Sequence, residues 1–205
     1  MRFVDLTQTF TSAMPVYPGD SLPRLIQSAS LENDGASNFE LTTSMHVGTH
    51  VDGPAHMIPG GERLCDYPPE TFFGKVVIVD ARGQPEISAA MLNDVPLARD
   101  MIVLVCTGWA EKYGTESYYQ EYPAVTLEFA RALVNAGVKM VGFDSPSPDH
   151  PPFLVHKVLL NDRILIIENL TNVVGLLGEK KAELVVAPLK IEADSAPARV
   201  IAMVG

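Results

Sequence analysis

Apolar residues fall mostly in short blocks along the chain, separated by turn residues rather than spread in long helical stripes. Lys75–Asp80 and Met101–Cys106 are continuous apolar runs, a pattern that predicts buried strands. Phe3–Phe10, Arg24–Leu31 and Phe39–Val47 combine β-branched and apolar residues between turn residues and read as strands. Met140–Phe143, Ile164–Ile167, Glu183–Ile191 and Arg199–Val204 predict four more. Met57–Pro69 and the proline-rich stretch Ser145–Pro152 read as loops.

Helical spacing is clearest over Thr126–Ala136. Phe129, Leu133 and Ala136 share one face, Thr126 is a candidate N-cap, Glu128 adds a carboxylate to the first turn, and Gly137 is a natural stop. Ile87–Asn93 and Phe153–Leu160 predict shorter helices. Strands outnumber helices and the two interleave, which predicts an α/β fold with a mixed β-sheet. At 205 residues, with no internal repeat or low-complexity segment, residues 1–205 are expected to form a single compact domain.

Composition narrows the partners. The net charge of −10, with no cluster of Lys or Arg, disfavours a nucleic acid or an anionic membrane. No stretch approaches the ~18–20 apolar residues of a membrane span, and the N-terminal residues do not read as a signal peptide. Cys65 and Cys106 are far apart and belong to no CxxC pair, so free thiols in a reducing cytoplasm are expected.

The chemistry concentrates elsewhere. Three of the five histidines lie between His46 and His56, in a segment that also holds Asp52. His and carboxylate donors suit a borderline divalent ion. On a straight strand His46 and His50 would stand roughly 13 Å apart, too far to share one. Gly48, Gly53 and Pro54 oppose a helix there. The segment must therefore turn tightly, with Gly48 supplying the bend and Gly53-Pro54 steering His56 towards the same point. A divalent ion can lower the pKa of water and polarise a carbonyl, and a neighbouring histidine can move the proton. Glu168 ends the apolar run Ile164–Ile167, where a carboxylate is awkward unless it is exposed, paired or metal-bound.

His46-Val-Gly-Thr-His50-Val-Asp52-Gly-Pro-Ala-His56 resembles the HxGTHxDxPxH motif of the cyclase family of metal-dependent hydrolases, which includes bacterial kynurenine formamidase and isatin hydrolase. Pro15–Asp20, Gly142–Asp149, Ala187–Lys190 and Ser195–Val200 resemble further family segments, so the likeness spans most of the chain. The resemblance implies a first metal on His46, His50 and Asp52. Glu168 would bridge to a second, held by His156, which Asp52 can also face. It implies His56 as general acid/base and Tyr17 as a substrate-side aromatic. Kynurenine formamidases tend to carry Ala in place of Thr49 and Trp in place of Tyr17, so the motif here is closer to the broad family than to that one enzyme. The implied fold is a compact α/β unit related to swivelling β/β/α domains, usually a homodimer. The implied cofactor is Zn2+ or Mn2+, one or two per subunit. The expected reaction is hydrolysis of a small amide, formamide or lactam. A lactone hydrolase, a dehydrating cyclase and a non-catalytic metal-dependent binding protein are the alternatives.

Overall fold

The computed structural model describes residues 1–179 and 181–205. Its strands are β1 (Arg2–Asp5), β2 (Arg24–Ala29), β3 (Asn38–Thr42), β4 (His50–Asp52), β5 (Phe73–Asp80), β6 (Glu86–Ile87), β7 (Ile102–Cys106), β8 (Ala124–Val125), β9 (Met140–Phe143), β10 (Leu165–Glu168), β11 (Ala182–Pro188) and β12 (Ser195–Val204). Its α-helices are α1 (Leu31–Asp34), α2 (Leu127–Ala136) and α3 (Leu154–Asn161).

The main sheet is mixed and closes on itself. β5, β7, β9 and β10 run parallel; β11 pairs antiparallel with β5 and β4 with β10, and β12 pairs antiparallel with both β11 and β4. Closure depends on the length of β12. Along one edge it pairs with β11; along the other its first residues pair with β4 and its last with β1. The result is a barrel-like ring of seven strands with β1 attached outside the ring.

Side-chain alternation divides the core in two. Ile102, Leu104 and Cys106 of β7 belong to one buried cluster together with Val51, Met140, Leu165, Ile167, Leu184 and Val200, so that cluster draws on every strand around the ring and fills its interior. Val103 and Val105 point the other way and pack with Val141, Ile166, Phe129 and Leu133 beneath the helices. Burial on both faces explains why these strands read as unbroken apolar runs. Gly142 is a point of close approach, since a Cβ there would lie 2.6 Å from Leu104 Cδ2.

α2 forms where expected. Thr126 Oγ1 accepts from Phe129 N–H, and Gly137 ends the helix at φ 69°. Other boundaries differ. β1 stops at Asp5, not Phe10, and the expected strand at Arg24–Leu31 ends at Ala29 because Ser30 caps α1 instead. Phe39–Val47 is strand only to Thr42. The expected helix Ile87–Asn93 is the end of β6 followed by a 3-10 turn, Ala89–Leu92. β11 ends at Pro188, and β12 begins at Ser195, ahead of Arg199. Short backbone elements whose pairing is set by distant strands leave little local pattern.

β2 and β3 form a separate hairpin, almost wholly exposed. Among the described residues no helix is long and apolar enough to cross a membrane.

Candidate metal centre

Register builds the site. β4 lies between β10 and β12, with His50 opposite Glu168 and Asp52 opposite Ser195. Val51 occupies the barrel interior, so its neighbours His50 and Asp52 face outward. Ile167 is likewise interior and Glu168 faces outward, at the C-terminal end of a parallel strand. Before β4 the chain turns at residues 45–49, with Gly48 at φ 69°. A side chain at Gly48 would be strained by that angle and would also meet Met14 Cε at 2.5 Å. The turn brings the His46 and His50 rings to 5.1 Å, centroid to centroid. After β4, Gly53-Pro54 leads into a 3-10 turn, Pro54–His56, which places the His56 ring 4.2 Å from that of His46. α3 brings His156 in from the helical layer.

The five residues expected as ligands converge. His46 Nδ1 lies 3.0 Å and His50 Nε2 3.4 Å from Asp52 Oδ1, while His156 Nε2 is 3.9 Å from Asp52 Oδ2. Glu168 divides its oxygens the same way, with Oε2 3.3 Å from His50 Nε2 and Oε1 3.2 Å from His156 Nε2. Each carboxylate thus directs one oxygen towards the His50 side and the other towards His156. His50, Asp52 and Glu168 have donor atoms close enough to hold one ion, as do His46, Asp52 and His56.

The residues fit a divalent metal. His50 Nε2 and both oxygens of Asp52 are buried and make no well-formed hydrogen bond, meeting their charged neighbours only as ion-pair contacts. Orphaned buried polar atoms are costly, and a cation accounts for all three together. The opposite ring nitrogens are held: His50 Nδ1 by Gly48 O at 2.8 Å, and His156 Nδ1 by Asp149 Oδ1 at 2.6 Å. Such acceptors fix the tautomer and turn Nε2 towards an ion.

Without an ion, the electrostatics show the strain of the arrangement. Burial alone would push the His50 imidazole down, but the Asp52 and Glu168 carboxylates outweigh it and hold it well above its ordinary value. The same contest at His156, with Asp149 and Glu168 as partners, raises it to about 10. Asp52 is held well below the usual carboxylate range, its burial overcome by His50 and His46. His56 moves the other way: burial lowers it, His46 and His156 add to that, and the pull of Asp52 does not compensate.

A cavity of about 230 Å³ opens over this cluster, and His46, Asp52, His56, His156 and Glu168 line it. Tyr17 lines it too, edge-on to Tyr119 with ring centroids 5.7 Å apart. Tyr119 in turn meets Tyr118, whose hydroxyl donates to Asn169 Oδ1 at 2.9 Å.

Three supporting residues carry no sequence expectation of a role. Asp149 orients His156 with one oxygen and with the other accepts from Val155 N–H at 2.6 Å, holding the first turn of α3. Its place just ahead of a helix was the available signal. Thr49 Oγ1 accepts from Gln8 N–H and donates to Asn169 O, joining the residue before His50 to the residue after Glu168. Asp194 contacts both His46 and His56. It lies 138 positions beyond His56, and no periodicity marks it.

An α/β barrel with a buried His/Asp/Glu cluster at strand ends defines the class: a protein built around a candidate metal centre. The family model "Putative cyclase" matches residues 4–150, and the chain belongs to that family. It is 28% identical over 205 residues to a kynurenine formamidase of Bacillus cereus, covering 98% of this chain and 96% of that one. Isatin hydrolase A from Labrenzia aggregata, solved with benzyl benzoate, superposes with a TM-score of 0.88 at 26% identity, over 99% of this chain and 93% of that one. A potential metal-dependent hydrolase with cyclase activity superposes at 0.83 with 25% identity, over 98% and 96%.

Proposed function

We propose that this chain hydrolyses a small amide, formamide or lactam, using one or two divalent ions held by His46, His50, Asp52, His156 and Glu168. The observation that carries the reading is the set of three orphaned buried donor atoms, His50 Nε2 and Asp52 Oδ1 and Oδ2, beneath an open cavity. Similarity to a kynurenine formamidase and an isatin hydrolase supports the choice of a non-peptide C–N bond. Zn2+ and Mn2+ both suit the donor set.

When bound, such an ion lowers the pKa of water and polarises a carbonyl oxygen. The chain's own residues supply the rest. Burial holds the His56 imidazole below its ordinary value, which favours the neutral form that can accept a proton from water and return it to the departing nitrogen. Tyr17, braced by Tyr119, offers a ring to pack against a planar substrate. The buried side chains His50, Asp52, His156 and Glu168 lie in a low-dielectric wall that strengthens each polar contact.

The test is a panel of N-formylkynurenine, isatin and a simple lactone, assayed with the metal-loaded protein and with chelator. C–N hydrolysis abolished by chelator and restored by Zn2+ or Mn2+ is the expected result. Binding without turnover of any amide, or turnover of the lactone alone, contradicts the reading.

We also propose a homodimer in the cytoplasm. On the β2–β3 hairpin Leu25 faces Leu41, with Phe39 further along, and all three are exposed. An apolar face of this kind favours burial against a second copy. Cys65 and Cys106 are free thiols, as a reducing compartment would keep them.

A further inference from the structure

One oxygen atom serves two histidines at the edge of the metal cluster. Asp194 Oδ2 lies 2.9 Å from His46 Nε2 and 3.2 Å from His56 Nδ1. Its main chain is anchored beside them, because Gly53 N–H donates to Asp194 O at 2.9 Å at the entrance to the Pro54–His56 turn. Ser195 Oγ is 3.0 Å from the same nitrogen of His46.

A carboxylate can only accept, so both facing ring nitrogens must carry their protons. In a neutral imidazole the opposite nitrogen then holds the lone pair. For His46 that nitrogen is Nδ1, 3.0 Å from Asp52 Oδ1, where a bound ion would take the place of the proton that the Asp52 carboxylate otherwise holds there. For His56 it is Nε2, on a ring that lines the cavity. A histidine side chain in water favours a proton on Nε2, which His46 keeps; for His56, protonated on Nδ1, the tautomer is the opposite one. The preference must therefore be imposed, and Asp194 is the carboxylate placed to impose it.

We propose that Asp194 is a positioning residue that sets the tautomers of His46 and His56 together, presenting His46 Nδ1 to the ion and His56 Nε2 to the reacting proton. One acceptor for both rings means the base is aligned by the same group that aligns a ligand. The inference rests on the reading of His56 as the proton carrier, and its test separates the two.

Two-bond 1H–15N correlation spectra of the zinc-loaded protein report each histidine's tautomer without any substrate. The expected result is a proton on His56 Nδ1 in the natural protein and a shift to Nε2 in Asp194→Ala. A proton on His56 Nε2 in the natural protein overturns the proposal by itself, whether or not the variant folds. So does an unchanged tautomer in Asp194→Ala. With an amide that turns over and zinc held saturating, Asp194→Ala should lower kcat by about 10–100-fold, the usual range for such outer partners, at unchanged KM. Asp194→Asn, which keeps a carbonyl acceptor, should restore part of the loss. A kcat restored in full by added zinc would make Asp194 a support of the ligand His46 alone and contradict its role at His56. If no amide turns over but the tautomers behave as expected, the catalytic reading fails and the positioning role stands.

Discussion

Glu168 is the direct cross-strand partner of His50, and its two oxygens divide between His50 Nε2 at 3.3 Å and His156 Nε2 at 3.2 Å. A single carboxylate thereby links a residue on β4 to one on α3. Glu168→Gln keeps the shape but replaces one oxygen with an NH2 group that has no lone pair to offer an ion. Titration with zinc under a competing chelator should show affinity reduced by at least about tenfold. Unchanged affinity would remove Glu168 from the metal site.

Protons and metal should compete for the same cluster. His156 is raised to about 10 and His50 lies well above 6.5, so folding tightens their hold on protons. In the metal-free protein that contribution to stability is complete below pH 6.5 and is lost as pH rises through about 10. Asp52 and Glu168 are shifted down, so their contribution is present above the ordinary carboxylate range and is lost on acidification. Thermal unfolding without metal should therefore show Tm falling between pH 6.5 and 10. Metal affinity should rise over the same interval as the imidazoles are freed. A metal-free Tm that climbs towards pH 10 would contradict this.

His56 should separate metal binding from turnover. Its shift below 6.5 predicts activity that rises through the lower pH range and is level near pH 7. His56→Ala should lose roughly a hundred- to ten-thousandfold in kcat, the usual span for a general acid/base, while zinc content measured by mass spectrometry stays unchanged. Loss of zinc in the variant would make His56 a ligand, which its place within reach of His46 and Asp52 allows geometrically.

Much of this architecture is legible from residues 46–56. The impossibility of a straight strand between His46 and His50 demanded a bend, and Gly48 at φ 69° supplies it. The unbroken apolar runs at β5 and β7 announced strands buried on both faces, and Thr126 and Gly137 marked the two ends of α2. Ring closure through β12 was not legible, because it depends on Ser195–Pro197 meeting β4 across some 145 positions of chain. Asp149 and Asp194 escaped for a related reason. Asp194 acts through histidines that only the tertiary fold brings alongside it, and Asp149, though close to His156 in sequence, through a loop whose path no local pattern gives.

Thr49 should carry more weight for stability than its side chain suggests. Its hydroxyl both accepts from Gln8 N–H at 2.9 Å and donates to Asn169 O at 2.7 Å. Thr49→Ala leaves two backbone groups short of a partner and should cost about 1–3 kcal/mol in urea unfolding. A change within error would show that water replaces the hydroxyl at no cost.

The hairpin face of Leu25, Phe39 and Leu41 should govern assembly. Light scattering behind size exclusion should give the mass of a dimer, and Phe39→Glu should shift it towards the monomer. A monomeric natural protein would end the dimer proposal.

Anomalous diffraction at the zinc or manganese edge, from crystals of the metal-loaded protein, tests the central claim most directly. Density peaks enclosed by His46, His50, Asp52, His156 and Glu168 are predicted. Crystals grown with saturating metal in which these five side chains surround no anomalous peak would contradict it.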